Sequence, residues 1–219
     1  SESEKFSGDA LINLQIAQKM NLPMQFILSE EQLTLHKDII SHSDIIVDSI
    51  FGTGLKGAVR GLAGDVIEFL NSTGIPIIAI DLPSGLDADF GKVEGACIRA
   101  DLTVTMALPK RGLLLFPGAK YVGNLDVADI GVPDGVLEAQ GIAVNLIQPS
   151  FASGLLPARP PDGHKGLFGR VFLLAGSVGL TGAATMASQS ALRVGAGLVT
   201  LGIPKSLNPI MEVKLTEAM

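Results

Sequence analysis

Two aspartates each sit near the end of a run of apolar residues. Asp48 lies in "DIIVDSI" and Asp81 closes "IPIIAID". If both runs are strands of a parallel sheet, both carboxylates reach its carboxyl edge, where open α/β sheets bind their ligands. The loops after the two acids are unusual in the same way. Asp48 leads into "SIFGTGLKGAVR", and Asp81 leads into "LPSGLDAD". Gly52, Gly54 and Gly57 remove side chains where a ligand backbone or phosphate could approach. Glycine also permits positive φ, which lets successive N–H groups share one anion-binding concavity. Thr53 and Ser84 add hydroxyls, and Lys56 and Arg60 add positive charge.

Plainer readings exist for each feature. A "GTG" after a strand also makes an ordinary tight turn, an acid at a strand end also caps a helix, and Lys56 and Arg60 could be solvated charges. The turn fits neither standard nucleotide motif. "GTGLKG" lacks the Walker A spacing and the hydroxyl residue after its lysine, and no G-x-G-x-x-G opens a helix. The repetition of acid and glycine-bearing loop on two strands favours function over coincidence. Other chemistries find no support. No histidines or cysteines have zinc-ligand spacing, and no G-x-S-x-G elbow occurs. "DADFGK" (Asp87–Lys92) is too short for a calcium loop and predicts a turn. His36 and His42 fall on or beside a surface helix and predict solvated side chains.

The elements that would position these residues alternate. Asp9–Met20 has helical apolar spacing and stops before Pro23. Met24–Leu28 predicts a short strand. "SEEQ" (Ser29–Gln32) has capping-box spacing and predicts a helix to about Ile40. Asp44–Ile50 predicts a strand buried on both faces. Gly61–Ser72 predicts a helix closed by Gly74. Further strands are predicted over Ile75–Asp81, Ala100–Leu108 and Asn124–Gly131, with a candidate over Ala143–Ile147. "LLPARPPDGHKG" (Leu155–Gly166) then packs three prolines and two glycines into twelve residues, a candidate domain boundary. Beyond it the rhythm restarts: a strand in "GRVFLLAGS", a helix in "TGAATMASQSALRVGAG", a strand in "LVTLGIP". One strand–helix–strand unit is smaller than a domain. The first residues enter a helix with no strand before it, and "IMEVKLTEAM" carries no terminating signal, so a fragment of a longer protein is expected.

Composition agrees with an α/β protein. The 219 residues are 47% hydrophobic and include 26 glycines. The net charge of −6 and the lack of a basic cluster argue against sequence-independent nucleic-acid binding. No apolar run approaches the ~20 residues that span a bilayer, and the polar start lacks the pattern of a signal peptide. The single cysteine, Cys97, cannot form an internal disulfide, which fits a reducing, cytoplasmic setting.

Four segments in this order resemble one family: "VDSIFGTGL", "IDLPSGLDAD", "ADLTVTMALPKRGLLLFPGAKYVGNLDVADIGVP" and "HKGLFGRVFLLAGSVGLTGAA". The chain resembles the bifunctional NAD(P)H-hydrate repair enzymes over nearly its whole length. In that family an epimerase domain precedes a dehydratase domain of ribokinase-like fold. The resemblance implies a three-layer, Rossmann-like epimerase domain with a mostly parallel sheet over residues 1–149, and the start of the ribokinase-like domain over 150–219. The implied substrates are NADHX and NADPHX, nicotinamide dinucleotides hydrated at C6. The epimerase interconverts their R and S forms, and the dehydratase consumes the S form with ADP or ATP.

The resemblance also implies roles. Gly52, Thr53, Gly54, Leu55, Lys56, Gly57 and Ala58 would contact the dinucleotide, Asp81 would line the reaction centre, and Asp48 and Ser84 would hold a potassium ion. Gly182 and Ala183 would touch substrate from a helix start, unless they serve only close helix–sheet packing. The ion is expected to tie the two loops together, and Asp81 to serve as both acid and base. A homo-oligomer is expected. The family's "NNGGDG" loop, which would precede the first helix, is absent from this sequence. Two rivals stand beside this reading. An epimerase-type fold can be a non-catalytic binding module, against which the trio Asp48, Asp81 and Ser84 argues. A ribokinase-like small-molecule kinase would leave the first domain superfluous.

Overall fold

A computed structural model describes residues 7–219. The chain separates into two compact units, one ending at Ile142 and the other running from Ala143 to Met219.

The first unit opens with helices α1 (Gly8–Lys19) and α2 (Glu30–Ser41). The capping signal before α2 works as its spacing predicts. The Ser29 hydroxyl accepts from the Gln32 N–H at 3.3 Å, and the Gln32 side chain reaches back to the Leu28 N–H at 2.6 Å. That second bond occupies the Leu28 backbone, and Met24–Leu28 forms no strand. Strand β1 (Ile46–Asp48) leads through the glycine-rich turn to helix α3 (Gly61–Ser72), which ends where expected. Gly74, at φ 71°, turns the chain directly back into β2 (Ile77–Ile80). Strand β3 (Leu102–Met106), the short helix α4 (Arg111–Leu114), strand β4 (Asn124–Ala128) and helix α5 (Asp134–Ala139) complete the unit.

All four strands pair in parallel, in the order β1-β2-β3-β4. Their carboxyl ends therefore share one edge of the sheet. Ile46, Val59, Ile67, Leu70, Ile77 and Ile98 form one core cluster, with α3 supplying the fully buried Ile67. Burial of such a side chain stabilises by about 2–3 kcal/mol. Leu82, Leu86, Cys97, Leu113 and Val122 form a second cluster beneath the loop after β2.

One strand departs from its sequence pattern. Among the described residues β1 is an edge strand, and its Val47 is 58% exposed, so β1 is buried on one face rather than two. A run of apolar residues does not by itself distinguish an edge strand from a central one.

The second unit holds helix α6 (Pro149–Gly154), strand β5 (Arg170–Leu174), helix α7 (Gly182–Val194), strand β6 (Leu198–Gly202) and helix α8 (Asn208–Lys214). β5 and β6 pair in parallel across the α7 crossover. Ala184, Leu207, Met211 and Leu215 make its core. Ala143–Ile147 forms no strand, and Val144, Leu146 and Ile147 are exposed. No helix of the described residues is long and apolar enough to cross a membrane.

Candidate active site

Three consecutive parallel strands deliver the polar groups. Asp48 is the last residue of β1, Asp81 comes directly after β2, and Lys110 stands four residues beyond β3. The backbone at the last two strand ends is built alike. The Leu82 N–H bonds to the Ile80 carbonyl at 2.9 Å around Asp81, which has φ 70°. The Leu108 N–H bonds to the Met106 carbonyl at 2.8 Å around Ala107, which has φ 61°. Each is a three-residue γ-turn with a positive-φ residue that is not glycine. Such positions cost on the order of 1–3 kcal/mol and collect at functional sites.

Asp48 and Ser84 form a sealed group, 1% and 0% exposed. The Ser84 hydroxyl donates to Asp48 Oδ1 at 2.7 Å, and the Ser84 N–H donates to Oδ2 at 2.8 Å. The Ile50 N–H adds a third bond to Oδ1 at 3.2 Å. Ser84 also accepts from the Phe51 N–H at 2.8 Å and lies 3.3 Å from the Phe51 carbonyl oxygen. The glycine-rich turn and the "DLPSG" loop are thus joined directly by protein hydrogen bonds. Gly85 brings a further segment against this loop. Its φ is 102°, and a Cβ there would lie 2.2 Å from the Ala96 carbonyl oxygen.

Every donor to the Asp48 carboxylate is neutral, and no basic side chain among the described residues pairs with it. Its charge reaches Cys97 instead. Burial first, and then Asp48, push the Cys97 thiol up to about 12, so this cysteine is unreactive.

Asp81 has the opposite environment. Its Oδ1 accepts from the Thr105 hydroxyl and the Met106 N–H, each at 3.1 Å, and from the Lys110 ammonium. Lys110 also donates to Thr105 Oγ1 at 3.2 Å and to the Met106 carbonyl at 3.1 Å. The paired side chains of Lys110 and Asp81 are 22% and 23% exposed. Oδ2 has no partner among the described residues, while no buried side-chain polar atom there lacks one, so Oδ2 faces solvent. Partial burial alone would raise the Asp81 pKa. Lys110, by hydrogen bond and by charge, together with the Met106 N–H and Thr105, outweighs burial and holds the carboxyl below its ordinary value.

The glycine-rich turn is open. Gly52 and Leu55 close it through a 3.1 Å N–H···O bond. Of its three glycines only Gly57 has positive φ, at 80°. A Cβ on Gly52, Gly54 or Gly57 would meet nothing within 4 Å. The bare backbone therefore borders free space. Thr53, Lys56 and Arg60 are exposed and Ala58 is half-buried, while Leu55 packs against the first core cluster. A small hollow of about 60 Å³ lies between this turn and the next loop, lined by Leu55, Gly57, Gly85, Asp87, Lys92 and Glu94. Asp87 serves the predicted turn, accepting from the Phe90 N–H at 2.6 Å. His36 and His42 each face a carbonyl one helical turn back, at 2.7 Å.

Gly182 and Ala183 lie at the exposed start of α7 in the second unit, and helix–sheet packing falls to the fully buried Ala184. The residue that sequence reasoning missed is Lys110. The signal was present in "TMALPKRG", a basic residue just past the end of a parallel strand, as the acids are.

A four-stranded parallel sheet with acids and an open glycine turn at its carboxyl edge defines a Rossmann-like α/β domain. Residues 1–112 match the family model described as YjeF-related protein N-terminus. The chain belongs to this family. It is 46% identical over 216 residues to the bifunctional NAD(P)H-hydrate repair enzyme Nnr of Moorella thermoacetica, covering 99% of this chain and 41% of that protein. The Thermofilum pendens enzyme of the same name is 36% identical, covering 99% of this chain and 40% of that protein. The bifunctional NAD(P)H-hydrate repair enzyme of Leishmania major is 36% identical over 181 residues, covering 80% and 32%. The chain thus spans about two fifths of the length of the first two relatives.

Proposed function

We propose that the protein repairs hydrated nicotinamide dinucleotides by interconverting the R and S forms of NADHX and NADPHX at C6. The carrying observation is the half-open Asp81 carboxylate, with Oδ2 free, at the same sheet edge as an open glycine-rich turn. Residues 1–149 form the epimerase-like part in this reading, and residues 150–219 begin a dehydratase-like part. In the intact protein that part would return the S form to NAD(P)H with ADP or ATP. A homo-oligomer acting in the cytoplasm belongs to the same proposal.

The dinucleotide lies along Gly52–Ala58, where absent side chains leave room for its backbone. Its ring carries a hydroxyl on C6 beside the ring nitrogen. The nitrogen lone pair forms the C6–N double bond as the C6–O bond breaks, and the hydroxyl leaves with a proton from solvent. Ionised Asp81 stabilises the positive charge that develops on the ring. Water then adds to the opposite face, the double-bond pair returns to nitrogen, and Oδ2 takes the water's proton. That proton returns to solvent, so none is consumed. The lowered pKa of Asp81 favours the base over the acid, so its part is narrower than the double role the sequence suggests.

Potassium fits the sealed group. Asp48 carboxylate, Ser84 hydroxyl and Phe51 carbonyl form an all-oxygen donor set, and the buried carboxylate has only neutral partners. These residues would hold the ion, whose charge would balance Asp48 and stiffen the junction of the two loops.

The test is to incubate the intact protein with an unequal mixture of the NADHX epimers, with and without potassium, and to track their ratio chromatographically. Acceleration toward equilibrium over the protein-free rate is expected. An unchanged rate in the presence of potassium would sink the reading.

A further inference from the structure

An ammonium group has three N–H bonds, and Lys110 directs all three at the strand ends: to Asp81 Oδ1, to Thr105 Oγ1 at 3.2 Å and to the Met106 carbonyl at 3.1 Å. None is left for a ligand. Thr105, itself fully buried, donates its hydroxyl to the same Oδ1 at 3.1 Å, and the Met106 N–H does so at 3.1 Å. Three donors therefore converge on one carboxylate oxygen, and the other oxygen is bare. We propose that Lys110 is a positioning residue for Asp81: it clamps Oδ1 against the end of β3, fixes the strained γ-turns at Asp81 and Ala107 to each other, and leaves Oδ2 as the single ionised acceptor.

The clamp has a physical reason. The sheet holds only the backbone of Asp81, whose N–H donates to the Val104 carbonyl at 2.8 Å, and the carboxylate beyond it needs holding of its own. An isolated, solvent-exposed ion pair contributes little. A pair in which every ammonium proton is spent on fixed acceptors loses far less freedom when a ligand arrives. Lys110 also precedes α4 directly and so is held by the chain on both sides. It is the only charged side chain among the described residues that acts on Asp81. Its removal leaves the burial that raises the pKa and deletes the largest opposing influence.

This deepens the epimerase reading and rests on it for the kinetic arm alone. The direct arm needs no substrate: carboxyl-carbon NMR titration of Asp81 in the intact wild type, Lys110→Met and Lys110→Gln. The midpoint is expected to rise in both variants. Lys110→Gln, which keeps a donor for the Met106 carbonyl, guards against misfolding, and amide spectra verify the fold. An Asp81 midpoint that stays at the wild-type value in a folded variant overturns the proposal.

In the kinetic arm, Lys110→Met should lower kcat by about tenfold at neutral pH through mispositioning, with a smaller change in KM. Its acid limb should move to higher pH. A purely structural lysine would lower activity without moving that limb, and this outcome too overturns the proposal. A raised midpoint in a protein with no epimerase activity would keep the clamp and remove the function.

Discussion

Asp48 and Asp81 end neighbouring parallel strands, yet the tertiary structure gives them contrary environments. Asp48 is sealed, 1% exposed, and both its oxygens are taken by neutral donors, two of them from a residue 36 positions away. Asp81 is open on one oxygen and ion-paired on the other. A carboxylate with no free acceptor in reach of solvent does not exchange protons with a substrate. It organises. A carboxylate held by one oxygen and bare at the other is suited to proton transfer. The same residue type at the same sheet edge is thus given a sealed and an open environment by its neighbours.

The sharpest way to break this division is Asp81→Asn. Epimerisation should fall by about 10²–10⁴-fold, the usual contribution of a positioned base. Asparagine tolerates the left-handed backbone as aspartate does, so the fold should stand. The stability cost should be small and pH-dependent. Because the folded-state pKa of Asp81 is depressed, its contribution is complete above the unfolded carboxylate value of about 3.9 and is lost as pH falls through the lower folded value. The gap between wild type and variant in urea unfolding should therefore close in acid. An active Asp81→Asn enzyme would end the assignment.

Asp48→Ala should reverse the pattern and damage the fold first. It strips the acceptor from the buried Ser84 N–H, the shorter of two acceptors from the Ser84 hydroxyl, and the acceptor of the Ile50 N–H. A loss of about 3 kcal/mol is expected in urea unfolding. If stability is unchanged, the sealed group is not the junction described above.

The mildest change sharpens the comparison from the ligand side. Gly54→Ala adds a methyl that meets nothing within 4 Å of the protein. Stability should move by no more than about 0.5 kcal/mol. KM for NADHX should rise on the order of tenfold if the dinucleotide lies along this turn as proposed, because the added methyl would occupy its space. An unaltered KM would place the substrate away from this turn.

Much of this was legible in the sequence, and the reason is local. Helix α3 and its closure at Gly74, the cap at Ser29 and the strand runs that end in acids all arise from periodicity and turn chemistry within a few residues. So do the two acids and the glycine turn as candidate site residues. The strand expected over Met24–Leu28 failed because apolar residues make a strand only with a ladder partner, and none stands there among the described residues. Val47 reads as buried in sequence and is exposed because β1 is an edge, a property of the sheet rather than of the strand.

Local pattern alone was enough to select Asp48, Asp81 and the glycine turn as candidates, with the elements that bring them to a strand end. The groups each residue meets there were set by long-range packing. Lys110 is 29 residues from Asp81 and Ser84 is 36 from Asp48, and parallel crossovers alone bring them together. Charge state, free lone pairs and access to solvent depend on those distant neighbours, which no local pattern encodes. That is why two aspartates with the same sequence signature became one sealed and one open carboxylate.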